Sequence, residues 1–273
     1  MVAATGFAMG CMEGPQAETL VDDLVVLSVV TDPPEAGPGE AVSMEVSVGL
    51  PNDTPVDLML WTCLPLGEDS CLEEGADPRY FVFEDISSTT LVEQTVPFET
   101  AGILAAVGGE VPVLVWSMAC EQDLCPLFEK AKAGEVVEAD LADPISALKT
   151  LPFDGVSLAL SRLWLSDRAP EERRTNPTLT PDFELPEVAT PGERIPLAFT
   201  VEGAGEETEA FGYSLSGGFG AVSTRVFEGN VELAWFAPET VETTADTQLW
   251  VVVQDADGGS ATWTATLQVA PEG

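Results

Sequence analysis

Apolar residues along this chain come in short runs divided by Gly, Pro and Asp. The runs LVVLSVVT (24–31), AVSMEVSVG (41–49), VDLMLWTC (56–63), RYFVFE (79–84), TTLVEQTV (89–96), VPVLVWSMA (111–119) and GVSLALSRLWLS (155–166) are rich in Val, Leu and aromatic residues. Runs this short at this spacing predict seven strands and a sandwich. In Ser43–Val48 the alternation is strict. It sends Met44, Val46 and Val48 to a core and Ser43, Glu45 and Ser47 to water. A second set follows in FGYSLSG, VELAWFAP and LWVVVQDADGGSATWTATLQV (249–269). Its last member is a hairpin, because Trp250 and Val252 alternate before Asp255–Gly259, Trp263, Ala265, Leu267 and Val269 alternate after it, and glycine supplies positive φ at the turn. The class is all-β.

An internal repeat divides the chain in two. EAGPGEAVSMEVSV (35–48) aligns with VATPGERIPLAFTV (188–201): Ala36 with Ala189, Pro38-Gly39-Glu40 with Pro191-Gly192-Glu193, and apolar alternation after both. A similar module begins twice. This A-x-P-G-E turn resembles the start of the second strand in many bacterial Ig-like modules, and the closing hairpin resembles the last two strands of the PKD and Ig-like modules of bacterial surface proteins. The resemblance implies two tandem Ig-like β-sandwiches, residues 23–167 and 183–273. Between them the linker, 168–182, lies in DRAPEERRTNPTLTPD (167–182), a proline-punctuated, semi-rigid stretch in which Arg173 and Arg174 are available to pair with acidic patches. The first sandwich carries an insertion, 120–154, between its last two strands. PLFEKAKAG and the stretch Asp143–Lys149, with Asp143 as cap and Pro144 in the first turn, predict that it is partly helical. Such an insertion either covers a sheet edge or recognises a partner.

Composition narrows the function. With 10 basic against 47 acidic residues the net charge is −37, so nucleic acid is excluded as a partner by repulsion. Seven of the ten basic residues fall between Lys130 and Arg174, which sets the middle of the chain apart. No run approaches the ~18 apolar residues of a spanning helix. There is no histidine, which removes Ser-His-Asp and Cys-His catalysis and histidine zinc sites. No nucleophile elbow, phosphate loop or dinucleotide fingerprint is present. We expect no enzymatic activity and no cofactor.

Five cysteines remain. Cys63, Cys71, Cys120 and Cys125 form an even set at short spacings that suits disulfides of an oxidising compartment, and the spacings do not match a zinc ribbon. In the strand order that the Ig resemblance implies, VDLMLWTC and VPVLVWSMA are antiparallel neighbours. Their C-terminal ends then lie far apart, and the bonds are local, Cys63 with Cys71 and Cys120 with Cys125. Cys11 is left over. Ala8-Met9-Gly10-Cys11 resembles the lipobox of bacterial lipoproteins, in which small residues precede a cysteine that is cleaved and acylated. That resemblance implies a lipid-anchored protein of the outer membrane or cell surface, exported through an N-terminal signal, with residues 1–22 as signal remnant and tether and the membrane reached through the anchor alone. Asp255 and Asp257 are weak calcium candidates, a plain hairpin being the competing reading. The expected function is adhesion, binding or structural support at the cell surface through a protein or polysaccharide partner. The alternative is an accessory polysaccharide- or substrate-binding module of an envelope enzyme or secretion assembly. Exposed tryptophans on a sheet face would mark the second reading, an apolar patch on the insertion the first.

Overall fold

A computed structural model describes residues 19–51, 55–63, 79–86, 88–121, 126–135, 156–256 and 258–271. In the first half the strands are β1 (Val25–Asp32), β2 (Glu35–Ala36), β3 (Ala41–Gly49), β4 (Val56–Cys63), β5 (Arg79–Ile86), β6 (Thr89–Thr95), β7 (Glu110–Glu121) and β8 (Val156–Ser166), with helices α1 (Thr100–Val107) and α2 (Pro126–Ala133). They form a sheet β1-β3-β6 and a sheet β2-β8-β7-β4-β5. Side chains from both sheets, among them Val29, Met44, Val46, Leu58, Val115 and Leu163, share one apolar cluster. The alternation read from Ser43–Val48 is realised at Met44, Val46 and Val48, all buried. Ser47, expected in water, is buried as well.

The second half contains β9 (Thr178–Pro181), β10 (Val188–Ala189), β11 (Arg194–Glu202), β12 (Glu209–Ser214), β13 (Gly218–Phe219), β14 (Ser223–Arg225), β15 (Asn230–Phe236), β16 (Ala245–Gln254) and β17 (Ser260–Val269). Here the sheets are β10-β17-β16-β12-β14 and β13-β15-β11-β9. Leu197, Phe199, Trp235, Val251 and Leu267 fill the space between them. Two curled, half-barrel sheets are present in the protein.

The sequence repeat is a structural repeat. β2 pairs parallel with β8, the last strand of its half, and β10 pairs parallel with β17, the last of the other. Ala36 and Ala189 are both fully buried. Gly39 and Gly192 take positive φ of 84° and 71°, which a glycine adopts without strain. Three residues back, the Gly37 N–H donates to Glu40 Oε2 at 3.0 Å and the Thr190 N–H to Glu193 Oε2 at 2.8 Å. Each Pro-Gly-Glu thus closes a turn on itself before feeding a strand.

The halves lie side by side along β1 and β17. Thr262 Oγ1 donates to Ser28 Oγ at 2.9 Å, and Asn176 bridges: its Nδ2 donates to the Thr31 carbonyl at 2.7 Å while its Oδ1 accepts the Ser260 N–H at 3.0 Å. An apolar seam of Val21, Leu27 and Trp250, with Val25, Tyr213 and Leu215 against it, continues the contact. Of the stretch read as a tether, Val21 belongs to this seam, and Leu20 forms a parallel bridge with Ser214. The Val21 N–H donates to the Ser214 carbonyl at 2.8 Å, and Thr19 Oγ1 accepts the Phe219 N–H at 2.8 Å. The strap needs room, and Gly49 supplies it, because a Cβ there would lie 2.9 Å from Val21 Cγ1.

Residues 168–182, expected as a linker, are instead built into the fold. Pro170–Glu172 is a short 3-10 turn and Thr178–Pro181 is β9, hydrogen-bonded to β11. The physical reason is charge. Arg168 pairs with Glu110, Arg173 with Glu40, and Arg174 with Glu35 and Glu110, so the segment is clamped to the first half.

Candidate functional site

The insertion begins where β7 ends, and its first part is α2. Rather than covering a sheet edge, α2 lies over the outer face of the β5-β4-β7-β8 sheet. Phe128 and Ala131 pack there on Met59, Trp61, Met118 and Cys120, all buried. In consequence β4 is apolar on both faces, which explains why its sequence does not alternate. Trp61 stands opposite Trp116 in the β4–β7 ladder, and the rings stack with centroids 6.1 Å apart and planes at 11°. The Tyr80 hydroxyl donates to the Ala131 carbonyl at 3.3 Å. The Trp61 and Trp116 indole N–H groups are buried and find no partner among the described residues. The predicted helix at Asp143–Lys149 lies outside the described residues.

One charge interrupts the apolar strand. Asp57 sits beside an irregularity in the β4–β5 pairing between Val56 and Leu58 and is buried. Its Oδ2 receives Lys132 Nζ from α2 at 3.1 Å, and its Oδ1 accepts the Asp85 N–H at 3.4 Å. Glu84 and Glu129 approach the same ammonium at 2.7 and 3.4 Å. Hydrogen bonds to Glu84 and then Asp57 hold the Lys132 pKa above the ordinary lysine value. The ammonium therefore ties α2 to the sheet at every physiological pH. Among the described residues no group of three metal-ligating side chains is assembled.

The second charged cluster is more deeply set. The Glu35 side chain is fully buried beside Arg174, 2.7 Å away. Burial alone would raise its pKa. Hydrogen bonds from Ser166 and from the Arg174 N–H and guanidinium, with that cation's charge, outweigh burial and lower it. Arg174 also lies over the Trp164 ring, 4.1 Å from its centroid. The clustering of basic residues in the middle of the chain thus has a structural use, since Lys132, Arg168, Arg173 and Arg174 each meet carboxylates of the first half. Sequence reading paired Arg173 and Arg174 with acidic patches but missed the Asp57–Lys132 lock. The available signal was a lone aspartate inside an apolar run.

The other candidates fall in separate places. Cys63 faces Leu114 and Cys120 faces Asp57 across the β4–β7 ladder. They stand six residues apart along the strands, about 20 Å, too far for the ~7 Å limit of a disulfide. Neither is a free thiol. Cys11, Cys71, Cys125 and Asp257 lie outside the described residues. The Asp255–Gly259 turn is a hairpin connection, with Gly258 at φ 101° and its N–H donating to the Asp255 carbonyl. The Asp255 carboxylate accepts the Gly205 N–H at 2.6 Å and the Thr208 hydroxyl at 2.9 Å. It staples the hairpin to the loop before β12. None of the six tryptophans is exposed, and among the described residues the exposed large apolar ones are Leu20, Leu91, Phe98, Val107, Leu160, Val188, Val222 and Phe227.

No known family matches the chain, and no curated protein matches it. Solved structures with some likeness include dimeric latent PorU from Porphyromonas gingivalis, at 10% identity and TM-score 0.27 over 91% of this chain and 24% of that one. Red sea bream transglutaminase follows at 11% identity and TM-score 0.26, over 90% of this chain and 31% of that one. A tetra-tandem repeat in the extending region of a large adhesion protein has 11% identity and TM-score 0.26, over 90% of this chain and 49% of that one. The chain thus spans between a quarter and half of the length of these proteins. Likenesses this distant carry no argument about activity.

Proposed function

We propose that the protein is a non-catalytic, lipid-anchored binding or structural module of a bacterial cell surface, made of two Ig-like sandwiches and tethered through acylated Cys11. The observation that carries the reading is the junction between the halves. Two sheet pairs are joined along a strand length, bridged by Asn176, and strapped by the very segment that leads back to Cys11. Residues 12–18 reach at most about 25 Å, so the anchor holds the paired body close to the membrane. The recurrent parallel pairing of an early strand with the last one, β2 with β8 and β10 with β17, supports the Ig-like assignment. Cys63 and Cys120, buried at opposite ends of one ladder, fit local disulfides formed after export. A protein partner is favoured over a polysaccharide, because flat sugar rings are commonly met by exposed aromatic faces and all six tryptophans are committed to packing. The test is detergent-phase partitioning of native cells. Wild-type protein should enter the detergent phase and a Cys11→Ser variant the aqueous phase, whereas an aqueous wild type would overturn the proposal.

A further inference from the structure

The repeat extends from the Pro-Gly-Glu turns to the outer faces of the two five-stranded sheets. In the first half Ala36 faces Leu165 and Leu165 faces Val111, and five residues on from Val111 in β7 stands Trp116, opposite Trp61. In the second half Ala189 faces Val269 and Val269 faces Ala245, and five residues on from Ala245 in β16 stands Trp250, opposite Tyr213. The two aromatic pairs are equivalent. Their strand neighbours Val115, Leu249 and Val251 lie in the cores, so alternation turns the aromatic side chains to the other side of each sheet.

The covers of the two pairs differ. Trp250 and Tyr213 are packed against Val21, Val25 and Leu27, so the second half uses this face to take the strap and the β1 edge of the first. Trp61 and Trp116 are packed with Leu127, Phe128 and Ala131 of α2. A helix of the same half thus stands where the other half has a neighbouring module.

The far edge of the second half offers no such apolar surface. β9 is the counterpart of β1, since Leu179 faces Val201 as Val26 faces Val48. It shows exposed Thr178 where β1 has Val25, and Thr180 is exposed as well. Leu27, at the β1 irregularity between Val26 and Ser28, has no counterpart in the regular β9 pairing. The row of modules ends there by polarity.

We propose that α2 ends the row at the other side as a displaceable cap, hiding on the first half a face that fits the apolar strand edge of a preceding module. The helix has only eight residues, fewer than a helix needs to hold itself in water. Its cover is also imperfect, because the buried Trp61 and Trp116 indole N–H groups find no partner among the described residues, a penalty that ends when water reaches them. Phe128 beneath the helix and Lys132 on Asp57 hold it down. This device does not depend on the anchor.

Hydrogen exchange of the full-length wild type in low urea is the first test. The α2 amides should exchange through local opening, with protection about 100-fold or more below that of β4 and β7 and with little urea dependence. Equal protection and equal urea dependence would make α2 part of the core and overturn the proposal. The double variant Phe128→Asp with Lys132→Glu should release the helix while the far-ultraviolet strand signal stays, and should bind an apolar fluorescent dye about tenfold more than wild type. Adding Trp116→Lys should abolish that gain. A synthetic peptide of residues 19–29, which contains the apolar residues that cover the equivalent face, should displace the dye from the released variant, and a scrambled peptide should not. Unfolding of the first half on release, dye binding indifferent to Trp116, or a peptide no better than its scrambled form would each overturn the proposal.

Discussion

Asn176 is the point at which the two halves can be uncoupled with one side chain. Its amide group serves two backbone partners at once, the Thr31 carbonyl in the first half and the Ser260 N–H in the second. Replacing it by Ala leaves both partners without their bond in a partly buried junction. At about 1 kcal/mol for each lost hydrogen bond the cost is roughly 2 kcal/mol. With a urea dependence of about 2 kcal/mol/M, the unfolding midpoint should fall by about 1 M. Asn176→Asp keeps the shape and the acceptor but turns the donor into a carboxylate facing the Thr31 carbonyl, so it should cost at least as much. The assay is equilibrium urea unfolding of the full chain, followed by tryptophan fluorescence and far-ultraviolet circular dichroism. The wild type should unfold in one transition by both probes, and the variants should unfold earlier, with the two probes diverging as the halves separate. If the wild type already shows two separated transitions, or if both variants leave the midpoint in place, the junction does not couple the halves.

Further outcomes follow from the charges and the sulfurs. Glu35 has its pKa lowered in the folded chain from the ordinary 4.5, so its charge contributes stability above that value and the contribution is lost as the pH falls through the lowered one. Glu35→Gln should therefore reduce the melting temperature at pH 7, with a gap that narrows on acidification toward pH 3, and a gap independent of pH would contradict this role. Non-reducing peptide mapping should join Cys63 to Cys71 and Cys120 to Cys125. A peptide linking the two pairs would show that the β4–β7 ladder is misplaced. Lys132→Met removes the ammonium from three carboxylates and leaves Asp57 buried without it. It should lower the melting temperature by several degrees, more than Lys130→Met, and equal effects would refute the lock.

Much of the architecture was legible because both sides of it follow elementary patterns. β3 and β4 were read with the bounds they have, since Met44, Val46 and Val48 alternate and VDLMLWTC is framed by turn residues. The Pro-Gly-Glu repeat was legible because its glycine and carboxylate both have local work to do in the turn. What was missed depends on contacts distant in sequence. α1 is a short helix whose best local signal is the Gly108–Gly109 pair, both at positive φ, and of its two buried residues, Thr100 and Leu104, it is Leu104 that joins the apolar core. The linker expectation failed because residues 168–174 look solvated until Glu35, Glu40 and Glu110 are brought beside their arginines. The strap at Thr19 and Val21 has no local signal at all, its partners lying at Ser214 and Phe219.

The strap and the paired halves matter at a cell surface only if the chain is held there through Cys11. Mass spectrometry of the native protein from its own membrane fraction is the direct test. The reading predicts a mature N-terminus at Cys11 carrying a diacyl or triacyl modification. An N-terminal peptide that still contains Met1 to Gly10, or a Cys11 with an unmodified thiol, would contradict it.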